Sequence, residues 1–415
     1  MGSRQPLGDG AGRHPCHAAT RRRWPYRSRP SNWLRSVKVG LSLAIAALAI
    51  SGISSPNLHT NPQASPDAAA RIRPDQWHLG YLKVGEAHRI SRGEGVVVAV
   101  ADTGVDPHQD LRENLLAGTT TISGTPGDGR KDLNSHGTSM AGLIAAHGRS
   151  DGTGALGIAP QAKILPIQSS GANNAGTADD LALGIDFAIA HGAGVICVSS
   201  VGGASPELIR AVKAAVSANV VVVAAAGNAP KDSYVGYPAR EQGVIGVGGI
   251  NRLGDHASVS VVGPDVDIVA PAVDIYSTSY RGKYSKGTGT SSATAIVAGA
   301  AALIRSKYPN LPAQEVAHRL TATAIDKGPP GRDDQYGYGV IDLVAALTAD
   351  VPPLGFETSS VTAPASTAAA NKNKDNDNST ARGLATLGVL LAAGGGYLAW
   401  RRRRRGDDPP PRISR

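Results

Sequence analysis

Two cysteines in 415 residues exclude a disulfide framework. Cys16 lies in a basic N-terminal segment and Cys197 in an apolar run, so the fold cannot depend on their pairing. Aromatic residues are scarce as well, at 4%. Apolar residues still reach 41%, enough for a sizeable core that Val, Ala, Ile and Leu must build. The chain is too long for one small domain and suits one large α/β domain with appendages. No internal repeat is visible.

A central basic stripe is also lacking. The formal net charge is +9, but residues 1–38 hold nine Lys/Arg against one acid, and residues 401–415 hold seven Arg against two Asp. The residues between them are net negative. Each basic end abuts an apolar run, which is the charge asymmetry of a membrane protein and excludes a nucleic-acid footprint.

The run "VGLSLAIAALAISGI" (39–53) follows basic residues and reads as a signal-peptide core within residues 1–55. An uncleaved anchor is the competing reading. Residues 56–94 form an N-terminal extension. Its "DQWHLGYLKV" is apolar enough to pack on the central domain, and the rest is too poor in apolar residues to bury a core of its own. Residues 351–382 are rich in Pro, Ala, Ser, Thr and Asn and read as a flexible stalk. "LATLGVLLAAGGGYLAW" (384–400) carries no charge and predicts a transmembrane helix over 383–400. "RRRRR" opens the basic tail 401–415 and marks the cytoplasmic side.

Residues 95–350 alternate strand and helix patterns. "GVVVAVAD" (95–102), "AKILPIQ" (162–168), "AGVICVSS" (193–200), "VVVVAAAGN" (220–228) and "EQGVIGVGGI" (241–250) read as buried strands. Residues 136–147, 178–192, 205–219, 292–309 and 312–324 read as helices. Ser205 and Pro206 open the third of these, and the fourth is apolar nearly all round. The expected fold class is therefore α/β, a mostly parallel sheet with helices on both faces, plus a C-terminal transmembrane helix.

In such sheets ligands bind beyond the carboxyl ends of the strands. Asp102 ends the first strand, His136 opens a helix and Ser291 opens the apolar helix. Each alone has a bland reading: an Asx turn, a surface histidine, a helix N-cap. Asp…His…Ser is nevertheless a known chain order for a catalytic triad. Ser291 would attack a carbonyl carbon, His136 would carry its proton, and Asp102 would orient the imidazole. The Ser291 N–H and the Asn228 amide would bind the oxyanion. These roles need no metal or cofactor.

"VAVADTGV", "HGTSMAG", "VVVAAAGN" and "GTSSATAIVAG" resemble the signature blocks of subtilisin-like serine proteases, across the whole central unit. The chain most resembles the mycosins, membrane-anchored subtilases of type VII secretion. "QWHLGYLKVGEAHRISRGEGVVVAVADTGV" and "YPAREQGVIGVGGINRLG" carry that likeness. The resemblance implies an extracytoplasmic serine endopeptidase acting on protein or peptide substrates, held by one membrane span, with secretion-system membrane components as partners. It makes Ser291 the nucleophile of G-T-S-x-A-x-P and Ser292 the variable position. It also matches Ser199 and Gly202 to the segment that pairs with substrate backbone, with one residue of offset.

There are departures. Ala295 stands where the family has proline, which predicts a small change at the helix end. Mycosins usually carry domain disulfides, and this domain has only Cys197. Three alternatives remain open at this point. One is an aspartic protease, which needs two D-T-G aspartates on an all-β fold where this chain has one. The second is a structural component of a secretion complex with dispensable activity. The third is a generic surface-anchored subtilase.

Overall fold

The computed structural model describes residues 66–173 and 176–355. The signal segment 1–55, the start of the extension, the stalk beyond residue 355, the apolar run 383–400 and the tail 401–415 lie outside the described residues. No helix among those described is long and apolar enough to cross a membrane.

Three short helices come first: α1 (Pro66–Asp75), α2 (Trp77–Tyr81) and α3 (Val84–Ala87). The alternating unit begins with β1 (Val97–Asp102), β2 (Thr119–Thr120), α4 (His136–Ala145), β3 (Lys163–Gln168), α5 (Ala178–Ala190) and β4 (Val195–Val198). It continues with α6 (Pro206–Ser217), β5 (Val221–Ala225), β6 (Val244–Ile250) and β7 (Ile268–Pro271). A hairpin of β8 (Ile275–Ser279) and β9 (Lys283–Gly287) leads into α7 (Thr290–Lys307), α8 (Ala313–Ala322) and α9 (Leu343–Thr348).

Strands β1 to β7 form one parallel sheet in the order β2-β3-β1-β4-β5-β6-β7. Side chains on a strand alternate between faces, so a strand covered on both sides must be apolar at every position. β1 shows this. Val98 and Val100 join the core beneath α4 and α7, and Ala99 and Ala101 join the core beneath α5 and α6. Helix α7 runs under β4 to β7, and its residues from Ser292 to Arg305 are all buried. Local signals hold the outer helices. Ser205 Oγ accepts the Leu208 N–H at 3.2 Å, with Pro206 at the first turn of α6. Thr177 and Asp180 close a capping box on α5.

The N-terminal extension shares the domain's core. Leu82, Val84 and Ala87 are buried in the α4/α7 cluster. Gln76 exchanges hydrogen bonds with Leu156, donating to its carbonyl at 3.0 Å and accepting its N–H at 2.9 Å. The Trp77 indole donates to the Val273 carbonyl at 3.1 Å.

The β8–β9 hairpin has no signal in the residue pattern. Its turn places Arg281 and Gly282 at φ 57° and 67°, the left-handed pair that a tight hairpin requires. Arginine at the first of these positions gives no turn signal in the sequence.

Candidate active site

β1 pairs with both β3 and β4, whose connections leave in opposite directions, so a crevice opens at the carboxyl ends of β1 and β4. Asp102 is the last residue of β1 and is 4% exposed. Its Oδ1 accepts the Thr103 N–H at 2.8 Å.

His136 is the first residue of α4. Three groups take up the free amides at this helix end. Asn134 Oδ1 accepts from His136, Thr103 Oγ1 from Gly137, and Asp132 Oδ2 from Thr138. Gly137 permits the close approach to β1. A Cβ there would lie 2.1 Å from the Gly104 carbonyl oxygen.

The imidazole Nδ1 lies 2.7 Å and 2.9 Å from the two Asp102 carboxylate oxygens. A carboxylate beside Nδ1 keeps a proton there and leaves Nε2 as the basic nitrogen. Burial disfavours the imidazolium. The charge and hydrogen bond of Asp102, with the charge of Asp132, outweigh it and raise the His136 pKa above its ordinary 6.5.

Ser291 is the second residue of α7. Its hydroxyl donates to the Ser199 carbonyl at 2.8 Å, and Ser199 Oγ donates to the Ser291 carbonyl at 3.3 Å. Ser292 is 5% exposed and Ser291 half-buried, and both line the cleft between α4 and the end of β4. Ala295 keeps α7 an unbroken helix and is itself fully buried.

Asn228 lies beyond the end of β5. Its Oδ1 accepts the Thr290 N–H at 2.9 Å. An N–H can only donate, so the amide's oxygen must face Thr290 and its NH2 must face away. The amide packs on Gly289, where a Cβ would sit 3.2 Å from Asn228 Oδ1. Asp102, His136, Ser199, Asn228 and Ser291 all line one cleft of about 490 Å³.

Gly202 is placed otherwise than expected. Its N–H donates to the Tyr237 carbonyl at 3.1 Å, and its carbonyl accepts the Tyr237 N–H at 3.2 Å. Its N–H is thereby taken, and only the second lone pair of its carbonyl is left for an added strand. Ser200 and Val201 line the cleft in its place. Ser199 is 4% exposed and bound to the Ser291 segment. Behind it, the Cys197 thiol is fully buried and pushed up to about 12 by that burial. Asp132, Thr103 and Thr138 surround the start of α4 through side-chain hydrogen bonds that no sequence motif marks. The available signal was an acid four residues before the histidine.

Residues 93–339, more than half of the chain, match the family described as the subtilase family, Peptidase S8. The chain belongs to the subtilase family. Subtilisin Savinase of Lederbergia lenta is 38% identical over 273 residues, covering 65% of this chain and 97% of that protein. Among solved structures, MycP1 from the ESX-1 type VII secretion system superposes with a TM-score of 0.62 at 29% identity, over 70% of this subtilase and 89% of MycP1. The MycP3 protease from the type VII (ESX-3) secretion system gives 0.58 at 32% identity, over 70% and 89% of the two chains. As a subtilase this protein is a serine protease, a hydrolase with the expected α/β fold.

Proposed function

We propose that this subtilase cuts peptide bonds with Ser291 as nucleophile, His136 as general base and then acid, and Asp102 as the group that orients the imidazole. The observation that carries this reading is the convergence of the three on one cleft, with His136 Nδ1 2.7 Å from Asp102. Ser291 Oγ attacks the scissile carbonyl carbon and its proton passes to His136 Nε2. The negative oxygen of the tetrahedral intermediate meets the Asn228 NH2 and the Ser291 N–H, which has no acceptor among the described residues. The imidazolium gives its proton to the departing amine, and water repeats the sequence on the acyl-enzyme.

The same proposal places the domain outside the cytoplasmic membrane, held by Leu384–Trp400 with Arg401–Arg405 inside, and links it to type VII secretion components. The apolar run closed by five arginines supports the first part, and the likeness to MycP1 and MycP3 supports the second. Two experiments test it. A fluorophosphonate should label Ser291 and block peptide cleavage; an unlabelled, active protein would defeat the mechanism. Protease added to intact spheroplasts should release the domain by cutting in 351–382 while a tag after Arg415 stays protected. A digested tag and a shielded domain would invert the topology.

A further inference from the structure

We propose that Asp132 is a positioning residue for His136: a second buried carboxylate that ties together the chain on both sides of the Asp102–His136 pair and adds its field to that pair. This rests on the reading of His136 as general base.

Asp132 is 5% exposed and accepts five hydrogen bonds. Oδ1 takes the Thr103 hydroxyl at 2.8 Å, the Asn134 N–H at 3.0 Å and the Ser135 N–H at 3.1 Å. Oδ2 takes the Thr138 N–H at 2.9 Å and the Thr138 hydroxyl at 2.5 Å. Thr103 comes directly after Asp102, and Thr138 lies two residues beyond His136. One carboxylate thus clamps the end of β1 to the start of α4. Through Thr103 Oγ1 it also reaches the Gly137 N–H at 3.0 Å. The Asp132 N–H donates to Asp106 Oδ1 at 2.7 Å, and Asp106 Oδ2 accepts the Arg281 N–H at 2.8 Å, so the clamp extends to the hairpin turn.

Burial pushes the Asp132 carboxyl above its ordinary 3.8, the hydrogen bonds from Thr138, Asn134 and Thr103 favour its charged form against that, and the charge has no cation to meet. Among the described residues no lysine, arginine or histidine lies in salt-bridge range of Asp132. A buried carboxylate without a counter-ion favours any cation that forms nearby, and the cation that forms in turnover is the His136 imidazolium. The charged groups that act on that ring are Asp102 at the end of β1 and Asp132 in the loop before α4. The hairpin meets α4 with uncharged hydroxyls: Ser277 and Thr278 donate to the Ser139 and Thr138 carbonyls, and Ser279 donates to Ser135 Oγ. Helix α7 packs on α4 through buried apolar residues. An ordinary helix-capping aspartate would explain the bond to the Thr138 N–H. It would not require the hydroxyls of Thr103 and Thr138.

The test is Asp132→Asn, which keeps the side chain's shape and removes its charge. With the fold checked by melting temperature, the acidic limb of kcat/KM should move to lower pH by about half a unit or more, and kcat should fall about tenfold. In a Ser291→Ala background, NMR titration of the His136 ring should show the same downward shift without reference to turnover. A limb and a ring titration that both stay in place would overturn the proposal. If the Asn variant does not fold, Thr138→Val and Thr138→Ser decide. The valine variant should lose turnover at least threefold with the serine variant close to wild type. Equal turnover in both would overturn the proposal. A wild-type protein that neither labels with fluorophosphonate nor cleaves any peptide would instead remove the protease reading, and the proposal with it.

Discussion

Ser291 and Ser199 are joined in both directions. The Ser291 hydroxyl donates to the Ser199 carbonyl at 2.8 Å, and the Ser199 hydroxyl donates to the Ser291 carbonyl at 3.3 Å. The clasp pins the start of α7 to the end of β4 at Ser291, while the neighbouring Ser292 is 5% exposed and makes no such bond among the described residues. Ser291→Ala should abolish fluorophosphonate labelling and peptide cleavage. Ser292→Ala should leave most of both. The reverse pattern would move the nucleophile to Ser292.

Asn228→Ala removes a cleft-lining amide whose oxygen is already bound by Thr290, which leaves its NH2 to donate elsewhere. A donor used only in the transition state is worth about 2.7–4 kcal/mol, so kcat should fall by about a hundredfold or more. KM should change little. Steady-state kinetics on one peptide substrate check this, and an effect confined to KM would show that Asn228 is no oxyanion donor.

The general base must be neutral, and His136 holds its proton more tightly than an ordinary histidine. The acidic limb of kcat/KM should therefore have its midpoint above pH 6.5. Below that pH the ring is charged and activity is lost, while the ion pair with Asp102 is strongest. A limb centred below 6.5 would contradict the geometry.

His78 of α2 is fully buried, and neither ring nitrogen has a partner among the described residues. Burial pushes its pKa down to about 3, against 6.5 when exposed. The unfolded chain binds that proton first as pH falls, so stability is whole above pH 6.5 and is lost progressively toward pH 3. The loss from this one group runs at about 1.4 kcal/mol per pH unit within that window. Urea unfolding at pH 7, 5.5 and 4.5 should show His78→Leu losing less stability on acidification than wild type. Identical slopes would show that His78 does not titrate on unfolding.

Much of this protein is legible before it folds. Unbroken β-branched runs such as Val220–Val223 read as strands covered on both faces, because exposing either face would leave apolar side chains in water. Ser205 and Pro206 announce α6 because a cap and a preset φ act within one turn of chain. Asp102, His136, Asn228 and Ser291 could be picked out because each sits where a strand ends or a helix begins, beside glycines that permit close approach.

Other features were decided only by the tertiary structure. β7 is four residues long and ends in Pro271, too short to show a period. Gly202 and Tyr237 exchange backbone hydrogen bonds across 35 positions, which no local pattern anticipates. Ser199 reaches Ser291 across 92 residues, and Asn228 reaches Thr290 across 62. Asp132 looks like any loop acid until packing brings two threonine hydroxyls onto it. Apolar periodicity is written into neighbouring residues because burial is averaged over a whole face. A hydrogen bond instead needs one donor within about 3 Å of one acceptor, and for residues far apart in the chain only the packed sheet and helices set that distance.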